Sequence, residues 1–280
     1  MTGITLLTGA TGFVGSQVLR GLAERGVRVR VVSRDGKYDE LGNLNAIESV
    51  IFTPDAFAEN ADWWANTCKG IDIVIHIAWY AEPGKYLQSP KNINCLKGTL
   101  CMAEGAIQAG VRRFVGIGTC FEYDLAGSRL SVETPLRPMT PYAGAKGAAF
   151  MALSNWLPLQ KVEFSWCRLF YLYGEDEDSR RLVQYLHAKL AAGEPAELTS
   201  GAQVRDFLDV REAGNMIVEV ALGSVQGPIN ICSGIPVTVR QLAESIADEY
   251  GSRHLLRFGA RADDCFDPPR VVGVPGRGLQ

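Results

Sequence analysis

The 280-residue sequence predicts an α/β fold, a Rossmann-type doubly wound parallel sheet with a small C-terminal lid. Short apolar runs alternate with helical patterns as far as Leu169. The first run, Ile4 to Leu7, leads into the glycine-spaced segment Thr8-Gly9-Ala10-Thr11-Gly12-Phe13-Val14-Gly15. Beyond Leu169 the alternation gives way to helices separated by Gly- and Pro-containing loops.

Ile4 to Leu7 reads as a buried strand, and the glycine segment passes into helical spacing at Leu19, Leu22 and Ala23. Gly9 permits the tight turn, Gly12 lets a bound group approach the backbone, and Gly15 allows the helix to pack closely on its strand. The helix N-terminus, reached through Thr11, Phe13 and Val14, offers free N–H groups and the positive end of the helix dipole, as a pyrophosphate requires. A glycine-rich turn without a ligand is the bland alternative. A second strand at Val27 to Val32 closes the βαβ unit that a dinucleotide site needs.

The residues after that strand are Ser33 and Arg34. A carboxylate there would bond the adenosine ribose of NAD and repel a 2′-phosphate, whereas an arginine accommodates the phosphate. The expectation is therefore NADP(H) over NAD(H), with Arg34 as discriminator and Ser33 assisting; Asp35 is the counter-argument.

Further strands are expected at Ser49 to Phe52, Ile73 to Ile77, Phe114 to Ile117 and Phe164 to Leu169, with a late strand at Ile229 to Cys232. Lys91 to Gln108 and Pro141 to Leu157 read as helices packed against the sheet, and together they offer a homodimer surface. In the second, Thr140 is the N-cap, Pro141 the first helical residue and Pro158 the stop. Tyr142 and Lys146 then lie at i and i+4 on one face. A cation beside a phenol favours the phenolate, so the pair can move a proton to or from a carbinol oxygen. An ordinary amphipathic helix carries the same spacing, and the glycine loop is what sets this one apart.

Helices at Arg180 to Ala192 and Val239 to Tyr250 suggest a lid over the carboxyl edge of the sheet. The expected division is a dinucleotide-binding domain of residues 1–169 plus about 204–232, and a substrate-binding lid of about 170–203 plus 233–280.

Hydrophobic residues make up 47% of the chain, ample for a core, and the net charge of −3 gives no basic surface for nucleic acid. No apolar stretch reaches the roughly 18 residues that span a bilayer. The first strand begins close to Met1, leaving no room for a signal peptide, so a cytoplasmic protein without membrane partners is expected. The seven cysteines, Cys68, Cys95, Cys101, Cys120, Cys167, Cys232 and Cys265, show no C-x-x-C spacing and read as reduced. His76, His187 and His254 lack metal-binding spacing, so no metal is expected, and His76 reads as a packed, hydrogen-bonded strand residue.

Taken together these motifs resemble the extended short-chain dehydrogenase/reductase family, the NAD(P)-dependent epimerase/dehydratase group that works largely on nucleotide sugars. The resemblance spans nearly the whole chain. It is carried by Thr8 to Gly15, Asp72 to Ala78, Asn94-Cys95-Leu96-Lys97-Gly98-Thr99, Tyr142-x-x-x-Lys146, Arg168 to Gly174, Arg205 to Val210 and Asn230 to Gly234. It implies that Ala78 and Asn94 contact the cofactor region, with Asn94 supporting Lys146. It also nominates Thr119 as the third catalytic member, holding a carbonyl within reach of the nicotinamide; a threonine merely capping the strand end is the alternative. Cys120 lacks an evident base and is not read as a nucleophile.

Departures from the family pattern are informative. The sugar-nucleotide 4,6-dehydratases carry an Asp-Glu pair directly after the threonine; here Cys120-Phe121 stands there, with Glu122 one place out of register, which argues against dehydration. Tyr171 replaces an asparagine that contacts the nucleotide diphosphate. Arg205 is a candidate diphosphate ligand, or else a salt-bridge partner of Asp206 or Asp209. The resemblance thus implies an NADPH-dependent reductase of a keto group, at C4, of a nucleotide-linked deoxysugar. An epimerase with retained cofactor and a non-catalytic NADP-sensing protein are the alternatives.

Overall fold

The computed structural model describes residues 3–34, 45–127, 129–263 and 267–276. In chain order the elements are β1 (Ile4–Thr8), α1 (Phe13–Glu24), β2 (Val29–Ser33), β3 (Ile47–Phe52), α2 (Ala61–Thr67), β4 (Ile71–His76), α3 (Lys91–Gln108), β5 (Arg113–Thr119), α4 (Pro141–Trp156) and β6 (Glu163–Leu169). There follow β7 (Tyr171–Tyr173), α5 (Leu182–Ala191), β8 (Ala196–Leu198), β9 (Val204–Asp209), α6 (Val210–Leu222), β10 (Gly227–Ile231), β11 (Pro236–Thr238), α7 (Val239–Glu249), β12 (Leu256–Phe258) and β13 (Arg270–Val271).

Seven strands form one sheet in the order β10-β6-β5-β4-β1-β2-β3, and every pairing is parallel. The apolar runs of the inner strands β1, β4 and β5 are nearly continuous because both faces are covered. On β1, Leu6 joins the core under α2, α3 and α4, with Trp64, Met102 and Leu153, while Leu7 joins the core under α1 and α6, with Val18, Leu22 and Ile217. Trp166 and Cys167 on β6 divide in the same way. The strand order reverses between β1 and β4, and open α/β sheets place their ligands in the crevice above such a point.

Over the carboxyl edge lies a smaller assembly. β9 pairs with β7, β11 and β13, and β8 pairs with β12. Leu186, Leu198, Ile246 and Leu256 give this part its own core. α6 returns to pack on α1, and β10 pairs with β6. Buried Asp206 ties the parts together, accepting the backbone N–H groups of Ser233 at 2.8 Å, Gly234 at 2.9 Å and Gly273 at 3.1 Å.

Among the described residues no helix is long and apolar enough to cross a membrane, and no group of His, Cys, Asp or Glu has the makings of a metal site. The described cysteines are free thiols; Cys265 and Asp35 lie outside the described residues.

Candidate active site

A cleft of about 1330 Å³ opens above the β1/β4 switch point, lined by the glycine turn, the ends of β4 and β5, the start of α4 and the lid. Gly9 has φ +75°, and a Cβ there would stand 2.7 Å from the Ala78 backbone nitrogen. A Cβ at Gly15 would meet the Gly9 carbonyl oxygen at 1.9 Å. The turn and first helical turn are thus in contact through bare backbone, and Gly12, as N-cap of α1, has no side chain to satisfy the helix N–H groups. Thr11, Phe13 and Val14 line the cleft beside it.

Opposite, α4 starts as its sequence dictates: the Thr140 hydroxyl accepts the Ala143 N–H at 3.2 Å, with Pro141 in the first turn. This places Tyr142 and Lys146 in the cleft. Thr119 ends β5 and lines the same cleft, where its side chain lowers the Tyr142 phenol against the effect of burial. Its oxygen also accepts the Phe121 N–H at 3.3 Å, so it caps a short 3-10 turn as well. The Tyr86 ring stands edge-on to Tyr142, centroids 4.8 Å apart.

Electrostatics here differ from the expectation drawn from i, i+4 spacing. Burial, reinforced by Tyr86, Glu122 and Cys120, pushes the Tyr142 phenol above its ordinary range, opposed by the Thr119 side chain. The Lys146 ammonium instead donates to the Ile117 carbonyl at 2.5 Å and sits 3.8 Å from the centre of the Trp79 ring. Burial depresses Lys146 to about 7, with Glu122 and Cys95 pulling the other way.

His76 is buried and doubly engaged, Nδ1 to Thr8 Oγ1 at 2.8 Å and Nε2 to Thr99 Oγ1 at 2.9 Å. Thr99 spends its proton on the Cys95 carbonyl, so it accepts from Nε2, while Thr8 accepts the Ala78 N–H and so donates to Nδ1. Burial, then Lys146, lowers His76 to about 3, so the ring is neutral at ordinary pH.

Asn94 lines the cleft but is exposed on α3 and is not among the groups acting on Lys146. Its neighbour Cys95 is buried and interacts with the lysine. One helical position turns a side chain by about 100°, so Asn94 and Cys95 face different neighbours.

Ser33 is buried at the end of β2 and Arg34 is exposed beside it, both lining the cleft. On the lid side, Tyr171 packs edge-on to Phe121 and Phe207 with centroids 6.1 and 6.0 Å apart, and burial raises its phenol. Arg205 is buried, 5.2 Å from the Tyr171 ring centre, and pairs with Asp267 at 2.6 Å. Its expected alternatives are otherwise engaged, Asp206 with backbone N–H groups and Asp209 with Arg211 at 2.6 Å. Glu177 on the lid is raised to about 7 by burial, opposed by Arg181.

A glycine cradle that any Cβ would fill, set against a helix N-terminus at the switch point, has the shape and charge for a dinucleotide pyrophosphate. Residues 5–232 match the family described as the NAD dependent epimerase/dehydratase family. The chain belongs to that family.

Within this epimerase/dehydratase family the chain is 25% identical to the dTDP-6-deoxy-L-talose 4-dehydrogenase (NAD(+)) of Aggregatibacter actinomycetemcomitans over 271 residues, covering 96% of this chain and 98% of that one. It is 26% identical to the UDP-glucose 4-epimerase of Mycolicibacterium smegmatis, covering 95% and 86%. The fold superimposes on the UDP-N-acetylglucosamine 4-epimerase of Methanobrevibacter ruminantium M1 with a TM-score of 0.86 at 20% identity, covering 98% of this chain and 90% of that one. MoeE5, solved with UDP-glucuronic acid and NAD, gives a TM-score of 0.80 at 26% identity, covering 99% and 91%.

Motif reading assigns no role to Trp79, Tyr86, Cys95 and Asp267, which line the cleft, or to the buried pair of Glu122 and Arg168. A signal existed for the last of these. Arg168 interrupts an apolar run predicted to be a buried strand, and a buried guanidinium requires an anion. Glu122, out of register for dehydratase chemistry, is that anion, 2.8 Å away and fully buried.

Proposed function

We propose that this protein is an NADP(H)-dependent oxidoreductase that reduces a keto group, at C4, of a nucleotide-linked deoxysugar. The observation that carries the reading is that Thr119 at the end of β5 and Tyr142 and Lys146 at the start of α4 line one cleft with the glycine cradle. The bound nicotinamide supplies hydride to the carbonyl carbon. Tyr142, its neutral form favoured by burial, gives its proton to the carbonyl oxygen, and Thr119 directs a hydroxyl at the same oxygen. Lys146 would hold the nicotinamide ribose from the cleft floor, while Gly9, Gly12 and Gly15 leave room for the pyrophosphate. Cys120 and Phe121 offer no acid–base pair for loss of water, and the carboxylate acting most strongly on the phenol, Glu122, is paired with Arg168.

The cofactor preference rests on Arg34, whose exposed side chain lines the cleft after β2. The talose 4-dehydrogenase relative is named for NAD(+), so the preference needs its own measurement. NADPH should bind more tightly than NADH, and Arg34→Ala should erase the difference; tighter NADH binding by the unaltered protein rejects it.

A second reading, an epimerase that keeps its cofactor, draws on the same Tyr142 and Thr119 chemistry and on the likeness to UDP-glucose 4-epimerase. Thermal shifts with NADPH and a panel of dTDP-, CDP-, GDP- and UDP-sugars identify the ligand. Turnover then separates the readings: stoichiometric release of oxidised cofactor marks a reductase, and product without net cofactor change marks an epimerase. For assembly we propose a homodimer through α3 and α4, where Ile93 is 48% and Met151 52% exposed. Met151→Glu should convert it to monomer in sedimentation.

A further inference from the structure

Glu122 is fully buried next to the reacting groups, and no step of the proposed reaction uses it. Its Oε1 accepts the Thr119 backbone N–H at 2.8 Å and the Trp166 indole N–H at 3.0 Å, while Oε2 accepts from Arg168 Nε at 2.8 Å. Arg168 also donates to the Tyr123 hydroxyl at 3.0 Å, which donates to Asn230 Oδ1 at 2.7 Å. Gly118 lets this network reach the strand, since a Cβ there would stand 2.4 Å from Glu122 Oε1 and 2.2 Å from Trp166 Nε1.

The same side chain packs under α4 at the residue after Lys146, since a Cβ at Gly147 would stand 4.0 Å from Glu122 Cγ. The ammonium bonds the carbonyl of Ile117, the residue before Gly118, and lies 5.9 Å from the centre of the Trp166 ring that Glu122 holds. Facing Lys146 are Glu122 from the turn after β5, Cys95 from α3, His76 from β4, and the rings of Trp79 and Trp166. His76 is neutral and Cys95 is a buried thiol, so Glu122 is the anion in this set.

We propose that Glu122 is a positioning residue for the reacting pair: it fixes the backbone from which Thr119 reaches Tyr142, and it supplies the negative charge that stabilises the Lys146 ammonium inside the cleft. The assignment rests on the proposed roles of Tyr142, Lys146 and Thr119. Arg168 anchors Glu122 from β6 at 2.8 Å.

The test follows the Lys146 amine by ¹⁵N-lysine NMR across pH, its signal assigned by loss in Lys146→Met. Glu122→Gln leaves Arg168 buried without an anion and can unfold the chain, so Glu122→Gln with Arg168→Met, which removes both charges, is titrated beside it. The expected result is a Lys146 midpoint lower by about one pH unit in whichever variant folds. An unchanged midpoint overturns the proposal. In a preparation that turns over a sugar nucleotide, the alkaline limb of kcat should move down by the same amount with the cofactor KM unchanged. Because the NMR midpoint needs no substrate, absence of turnover on the whole sugar panel sinks the oxidoreductase reading without touching the Glu122 result.

Discussion

Tyr142 and Lys146 share a helix face, yet each is governed more by what it is buried against than by the other. The phenol is raised by burial and the amine is depressed to about 7 over the Trp79 ring. The i, i+4 spacing was legible because Thr140 and Pro141 fix where the helix starts, but the direction of a long lysine side chain depends on β4 and β5, which are distant in sequence. Cys95 was illegible for a related reason, since a one-position shift on a helix changes which neighbour is faced. If Tyr142 is the proton donor, Tyr142→Phe keeps the Tyr86 ring contact and loses only the hydroxyl. Its kcat should fall by about 10²- to 10⁴-fold, with dinucleotide affinity in a fluorescence titration unchanged within about twofold. Near-normal turnover would remove Tyr142 from the mechanism.

The elements of the main sheet could be read from the sequence, and those of the lid only in part. Strands covered on both faces are nearly continuous apolar runs, so β1, β4 and β5 stand out. β7, β8, β11 and β12 have three residues each and β13 two, too short to show a period of two, and they pair only through contacts distant in sequence. The α1 start makes the opposite case, because its glycines are explained by local geometry alone. Gly15→Ala would force a Cβ to 1.9 Å from the Gly9 carbonyl, a backbone atom that cannot swing aside. The turn must shift, with an expected cost of about 1–3 kcal/mol in stability. Melts with and without NADPH should show a lower Tm and a smaller stabilisation by the dinucleotide; an unchanged response would mean that the turn does not bind it.

At the scale of the molecule, two buried bases give the fold a definite response to pH. His76 titrates at about 3 in the folded chain against an ordinary 6.5, and Lys146 at about 7 against 10.5. In both windows the unfolded chain binds a proton that the folded chain refuses, so stability rises with pH wherever that inequality holds. The His76 contribution is complete above pH 6.5 and drains away as pH falls toward 3. Lys146 carries its full penalty below pH 7, and relief accumulates from 7 to 10.5. Since His76 lies under the glycine turn through Thr8, acid should loosen the β1–β4 junction first. Glu177, raised from 4.5 to about 7, works the other way between those values, and the buried thiols Cys68, Cys120 and Cys167, raised from 9 to about 12, do so above pH 9, so each base is read as a difference. In calorimetry the Tm of the unliganded protein relative to His76→Gln should climb between pH 4 and 6.5, and its Tm relative to Lys146→Met should climb above pH 7. If either difference stays flat across its window, the corresponding residue is not the buried base assigned to it.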